Sequence, residues 1–151
     1  MKKREQIAEV IPTIATVGIG IAEVEEIDRI NILNATYLAM TRAFDTMCDK
    51  IDVVPSACLI DGRGAPDLPC QTQGVIKGDN ISLSIAAASI MAKVYRDRLM
   101  LRLANDFPQY SWDTNAGYGT AAHILALNEH GITPHHRKSF KPIHELIATN
   151  N

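Results

Sequence analysis

Residues 56–62, Ser-Ala-Cys-Leu-Ile-Asp-Gly, decide the fold class. A short apolar run that ends in Asp-Gly reads as a buried strand closed by a turn. Beyond it, a loop punctuated by Pro66 and Pro69 leads to Gln-Thr-Gln-Gly-Val-Ile-Lys-Gly (residues 71–78), a second, polar-sided strand. The strongest helix follows, from Asn80 to about Asn105, with Asp79, Asn80 and Ser82 as candidate caps. Its first half, residues 85–90, is small and apolar nearly all round, which places it deep against other elements.

Working outward toward the N-terminus, residues 32 to about 48 place Leu33, Tyr37, Met40, Phe44 and Met47 at steps of four and three, one apolar helical face. An acidic helical turn, Glu23 to Arg29, precedes it. The β-branched stretch Thr13 to Ala22 predicts a strand. Gly18 and Gly20 weaken that strand and imply close backbone contact. Lys2 to about Ile11 reads as a short helix closed before Pro12. Toward the C-terminus come a polar, aromatic loop (Tyr110 to Gly119), a helix from Thr120 to His130 stopped by Gly131, a basic loop, and a short helix from Ile143 to about Thr149. Strands alternating with helices give an α/β or α+β domain. Three strands are few for so many helices, an imbalance that predicts an incomplete sheet.

Composition narrows the class. A chain of 151 residues is expected to form one domain, residues 1–151, and 46% apolar residues suffice for an ordinary core. Fifteen basic against seventeen acidic side chains argue against a broadly basic nucleic-acid coat, though not against a local patch. Cys48, Cys58 and Cys70 form no C-x-x-C and cannot all pair, which favours a reducing compartment. No membrane-spanning apolar run and no leader peptide are read, so a cytoplasmic location is expected.

The chemistry-bearing residues are few. Asp61 closes the first strand, where α/β proteins place their sites; an ordinary turn is the alternative. Asp79 opens the long helix as a cap, or joins Asp61 on a hard divalent cation. Asp97 lies mid-helix among basic residues and suits an ion pair or a buried hydrogen bond. The five histidines match no zinc spacing, and no Gly-rich phosphate loop is present. Between residues 134 and 144 His135, His136, Arg137, Lys138, Lys141 and His144 gather with no acid, a cluster able to hold phosphates or simply a solvated loop. Tyr118, between two glycines, could stack on a sugar or base, or plug a core edge with Trp112.

Seven segments in order resemble one family. They are residues 19–22 (Ile-Gly-Ile-Ala), 25–33 (Glu-Glu-Ile-Asp-Arg-Ile-Asn-Ile-Leu), 59–62 (Leu-Ile-Asp-Gly), 77–79 (Lys-Gly-Asp), 86–97 (Ala-Ala-Ala-Ser-Ile-Met-Ala-Lys-Val-Tyr-Arg-Asp), 115–120 (Asn-Ala-Gly-Tyr-Gly-Thr) and 134–140 (Pro-His-His-Arg-Lys-Ser-Phe). The pattern resembles bacterial type 2 ribonuclease H, RNase HII, over essentially the whole chain. The resemblance implies an α/β, RNase H-like mixed sheet with flanking helices and a helical C-terminal part. It implies a monomeric endonuclease that cuts the RNA strand of RNA–DNA hybrids, and 5′ to single ribonucleotides in duplex DNA, with Mn²⁺ or Mg²⁺ held by four carboxylates. Asp61 and Asp79 match the third and fourth carboxylates, as catalytic and metal-binding residues. Tyr118 matches the tyrosine that stacks at the ribonucleotide. Lys93, Arg137, Lys138 and Ser139 match substrate-binding positions, and Asp97 a structural one.

The same resemblance implies a gap. The family's opening strand with its adjacent Asp-Glu pair, its Gly-Arg-Gly turn and its Asp-Ser-Lys segment have no counterpart here, and Glu23, Glu25, Glu26 and Asp28 match a different segment. The N-terminal strands are therefore expected to be missing, the chain alone to be inactive, and its fold to be marginal. The alternatives are a non-catalytic hybrid-binding remnant or one part of a split enzyme. The final residues, Ala148 to Asn151, show no docking sequence for a protein partner.

Overall fold

The apolar run at 57–61 forms strand β1 (Ala57–Asp61), and the polar-sided stretch forms β2 (Gln71–Val75). The burial expected of β1 is corrected: its residues alternate between exposed and half-buried, and Leu59 is 47% exposed, in a sheet of only two paired strands among the described residues. The two run parallel, with Ala57 opposite Gln71 and Asp61 opposite Val75. One further bond extends the ladder at each end, from Gln71 N–H to the Ser56 carbonyl (3.2 Å) and from Gly62 N–H to the Val75 carbonyl (2.9 Å). Because the pairing is parallel, both strands deliver their carboxyl ends to one edge. The chain leaves β2 there through Lys77, in the left-handed region at φ 55°, into a 3₁₀ turn, Gly78–Asn80. Helix α3 (Leu83–Asp106) follows.

The computed structural model describes residues 2–149. The expectations that reach Met1, Asn150 and Asn151 lie outside them. Two compact units are present: residues 1–22 with 32–94, and residues 23–31 with 95–151. The chain passes from one unit to the other after Ala22, inside α2 (Val24–Ile51), where Asn31 leaves helical geometry at φ 66°, ψ 165°, and again inside α3 after Val94. The acidic turn and the long helix expected on either side of Asn31 are thus two helical stretches that meet at a kink.

In the first unit, two expectations are corrected. Helix α1 spans Lys2–Ile14 and includes Pro12. Proline removes its own donor and crowds the carbonyl one turn back, but the helix runs on for two residues and the Ala15 N–H still reaches the Ile11 carbonyl at 3.0 Å. The expected strand at Thr13–Ala22 does not form: among the described residues only β1 and β2 pair, and residues 16–23 have neither helix nor strand. Side chains of α2 take its carbonyls instead, with Lys50 Nζ donating to Val17 O and Arg42 Nη1 to Ile21 O, both at 2.7 Å.

The close approach implied by the glycines is present. A Cβ on Gly18 would overlap the Ala43 carbonyl oxygen, and one on Gly20 the Ala39 carbonyl oxygen. The α2 surface that permits this carries the alanines at 39 and 43. Of the expected apolar face, Phe44 is buried and Tyr37, Met40 and Met47 are half-buried, but Leu33 is 58% exposed and Ala35 is buried in its stead. Cys48, Cys58 and Cys70 are free thiols. The Cys70 thiol lies 3.6 Å from that of Cys58, and burial together with this contact pushes the Cys58 thiol up to about 11.

The second unit is built on a cluster of Ala104, Tyr110, Trp112, Ala126, Leu127 and Ile143. The expected loop 110–119 carries a 3₁₀ turn (Pro108–Tyr110) and a short helix α4 (Trp112–Asn115). Its aromatics are the reason: Tyr110 is 1% and Trp112 3% exposed, and the two rings stack with centroids 5.2 Å apart. The Tyr110 hydroxyl donates to the Gly131 carbonyl at 2.9 Å. Helix α5 (Ala121–His130) starts on the Thr120 hydroxyl, which accepts from His123 N–H at 3.3 Å, and closes at Gly131 as read. Helix α6 covers Lys141–Thr149.

Gly18→Ala and Gly20→Ala should each cost about 1–3 kcal/mol, the range for forcing atoms into a filled space. Gly119→Ala, with no heavy atom within 4 Å of the added carbon, should change stability little. Urea titrations of the three variants check this.

Candidate active site

The strand edge links the segments that carry Asp61 and Asp79. Asp61 is the last residue of β1, and its Oδ1 accepts the Gly78 N–H at 2.8 Å, seventeen residues on. That bond ties the carboxylate to the residue just before Asp79. Gly78 is itself buried and could not carry a side chain, since a Cβ would sit 2.5 Å from Ile85 Cδ1. Asp79 lies in the 3₁₀ turn, and its Oδ1 accepts from Asn80 Nδ2 at 3.3 Å. Gly62, at φ 113°, turns the chain away immediately after Asp61, a conformation natural to glycine. Among the described residues no group of three or more His, Cys, Asp or Glu is placed to hold a metal ion. As a donor set, two carboxylates suit a hard divalent cation that completes its shell with water and phosphate oxygens. Lys93, on α3 in the same unit, is exposed and donates from Nζ to Ser89 Oγ at 2.7 Å.

The second unit carries the other residues singled out from the sequence. Tyr118 is 66% exposed, unlike Trp112, so the core-plug alternative holds for the tryptophan alone. The Arg96 guanidinium lies over the Tyr118 ring, 5.0 Å from its centroid. Gly117 sits close under this pair, 3.1 Å from Met100 Cε and 3.5 Å from Arg96 Nη2 if it bore a Cβ. The turn that presents Tyr118 is fixed by Asn115, whose Nδ2 donates to the Tyr110 carbonyl (2.7 Å) and whose Oδ1 accepts the Gly117 N–H (2.8 Å).

The basic run does not form one cationic patch. His136 is 5% exposed and packs against Tyr110, Trp112 and His123, with centroids 4.9, 5.2 and 5.3 Å away. Its Nδ1 accepts the Thr133 N–H at 3.0 Å. It belongs to the core because an imidazole fills the slot between two aromatic rings. Lys141 lies 3.6 Å from Glu145. Arg137 covers the Phe140 ring at 4.4 Å, and Lys138 is exposed. The Ser139 hydroxyl donates to Asp28 Oδ1 at 2.6 Å.

Sequence reasoning missed Asp28 and Arg96 as partners of these residues. Asp28 also accepts the Lys138 and Ser139 N–H groups, each at 2.9 Å. Its burial raises the carboxyl, but the bonds from Ser139 and Lys138 outweigh that and hold it below the ordinary value. No local spacing links residue 28 to residues 138 and 139. For Arg96 a signal existed, the step from 96 to Met100 on the helix that faces Gly117.

A family model described as Ribonuclease HII matches residues 1–143. The chain is 53% identical over 146 residues to Ribonuclease HII of Paramagnetospirillum magneticum, covering 97% of this chain and 71% of that protein. It is 55% identical over 132 residues to the one of Rhodospirillum rubrum (87% and 59%) and 56% identical over 133 residues to the one of Gluconobacter oxydans (88% and 62%). The chain thus spans roughly three fifths to seven tenths of the length of these relatives.

The buried imidazole generates a pH prediction. Burial, and next the neighbouring His123, push His136 from 6.5 down to about 4. Between those values the unfolded chain takes up a proton that the folded chain refuses, so stability should fall as the pH drops from about 6.5 toward 4. Melting midpoints across that window should decline more steeply for the wild type than for His136→Gln.

Proposed function

This chain belongs to the ribonuclease HII family, and we propose that it acts on RNA–DNA hybrids, and on duplex DNA containing single ribonucleotides, as an endonuclease that cuts the RNA strand on the 5′ side of the ribonucleotide. The observation that carries this reading is the Asp61 carboxylate on the Gly78 amide, which sets it next to Asp79 in the chain's path at the carboxyl edge of a parallel strand pair.

Asp61 and Asp79 are the catalytic and metal-ligating residues in this proposal, and Mg²⁺ or Mn²⁺ is the cation their hard oxygens suit. Two-metal chemistry, when the cations are bound, supplies an activated water and stabilises the leaving oxygen of the phosphodiester. The chain's own residues hold the rest. The Gly78 amide fixes the rotation of the Asp61 carboxylate. Tyr118, backed by Arg96, offers an exposed ring to a sugar or base. Lys93, Arg137 and Lys138 meet backbone phosphates, while Ser139, whose proton goes to Asp28, keeps only lone pairs and acts with its loop.

Two carboxylates are half of the four that the resemblance implies. We therefore expect the chain alone to bind hybrid and to cleave it at a negligible rate, which is also how a hybrid-binding remnant or one part of a split enzyme would behave. Incubating the purified chain with a labelled hybrid and Mn²⁺ tests this. Uncut but bound hybrid is the expected result. Cleavage comparable to that of a full-length relative would overturn the inactivity, and absence of hybrid binding would overturn the substrate. Asp61→Asn and Asp79→Asn should each weaken Mn²⁺ binding, read by electron paramagnetic resonance, and leave metal-free hybrid binding within about threefold.

A further inference from the structure

We propose that Asp28 is a positioning residue that holds the 137–139 loop in the shape with which it meets the nucleic-acid backbone, an inference that rests on the function proposed above. Asp28 accepts three hydrogen bonds from two consecutive residues: the Lys138 and Ser139 amides, at 2.9 Å each, and the Ser139 hydroxyl at 2.6 Å. Both carboxylate oxygens are used, Oδ2 on Lys138 and Oδ1 on Ser139. A carboxylate gripped this way fixes the backbone on each side of the Lys138 Cα, and so the direction in which that lysine leaves the loop.

The neighbouring contacts complete the arrangement. His136, buried among the aromatic rings, anchors the loop on its N-terminal side. The Phe140 N–H bonds to the Arg137 carbonyl at 3.1 Å, and the Arg137 guanidinium lies over the Phe140 ring. Asp28 supplies the remaining restraint, from a helix more than a hundred residues away in sequence. The charge of Asp28 alone would repel phosphate. The three donors turned toward it absorb that charge, and the side chain of Lys138 is left exposed. A charge-assisted bond to a backbone amide is among the stronger hydrogen bonds, so two of them on adjacent amides order a loop that has no other regular structure.

Two measurements on the full chain test the proposal. The first is amide hydrogen exchange. In Asp28→Ala the Lys138 and Ser139 amides should exchange at least about tenfold faster, with the α5 amides unchanged; unchanged protection at 138 and 139 would overturn the proposal whether or not the chain binds hybrid. The second is the affinity for a labelled RNA–DNA hybrid across a salt series. Lys138→Ala, which removes one phosphate contact, should lower the slope of log affinity against log salt by about one. Asp28→Ala should weaken binding by about tenfold and lower the slope as Lys138→Ala does, a change that a loss of folded protein would not produce. Adding Asp28→Ala to Lys138→Ala should cost little more than Lys138→Ala alone. Asp28→Asn, which retains the shape and one acceptor, should fall between wild type and Asp28→Ala. Wild-type affinity and slope in Asp28→Ala, or tighter binding in both Asp28 variants, would overturn the inference and leave the function standing. A wild-type chain that binds no hybrid would overturn the function and the inference's second half together, with the exchange result still deciding the first.

Discussion

The hydrogen bond from the Gly78 amide to the Asp61 carboxylate is the joint that ties the end of β1 to the turn beyond β2, and the proposed site depends on it. It exists because β1 and β2 run parallel and in register, so that the end of one strand and the exit from the other share an edge. A shift of one residue would turn Asp61 to the opposite face of the pair and break the bond. The absence of a side chain at Gly78 is part of the same constraint, since Ile85 fills the space where a Cβ would stand. Sheet register, a buried glycine and the first turn of α3 thus combine to bring two acids from different elements into one neighbourhood.

In the second unit the controlling constraint is aromatic. Tyr110, Trp112, His123 and His136 pack on one another, and that packing removes His136 from solvent and sets the start of the loop that follows it. What looks in sequence like six basic residues in a row of purpose is divided by burial: one imidazole becomes core, one lysine pairs along its helix, and Arg137 and Lys138 remain at the surface. Exposed Tyr118 is held on the same scaffold by Asn115, whose amide links the Tyr110 carbonyl to the Gly117 amide.

The segment 16–23 shows how a strand-forming composition is overridden. β-branched residues favour extended backbone, and the segment has neither helix nor strand, but a ladder needs a partner strand and none is paired to it among the described residues. Lys50 and Arg42 satisfy two of its carbonyls, and Gly18 and Gly20 let the chain lie on the backbone of α2. The contact falls on backbone atoms of Ala39, Ala43 and Met47 and on Arg42 Cβ, not on the larger apolar side chains of the helical pattern.

Local rules read from the sequence alone were enough for the positions of both strands, for α5 up to Gly131, for α3 to within three residues of the start expected at Asn80, and for separating an acidic turn at 23–29 from the helix that begins at 32. These features depend on neighbours in the chain: alternation, caps, glycines and an ordered set of segments shared with a family. Only the tertiary structure decided that Asp28 grips residues 138 and 139, that Arg96 backs Tyr118, that His136 is core, and that Thr13–Ala22 is not a strand. Each of those outcomes turns on which distant group fills a given space or takes a given hydrogen bond, and the spacing of residues along a chain does not encode that.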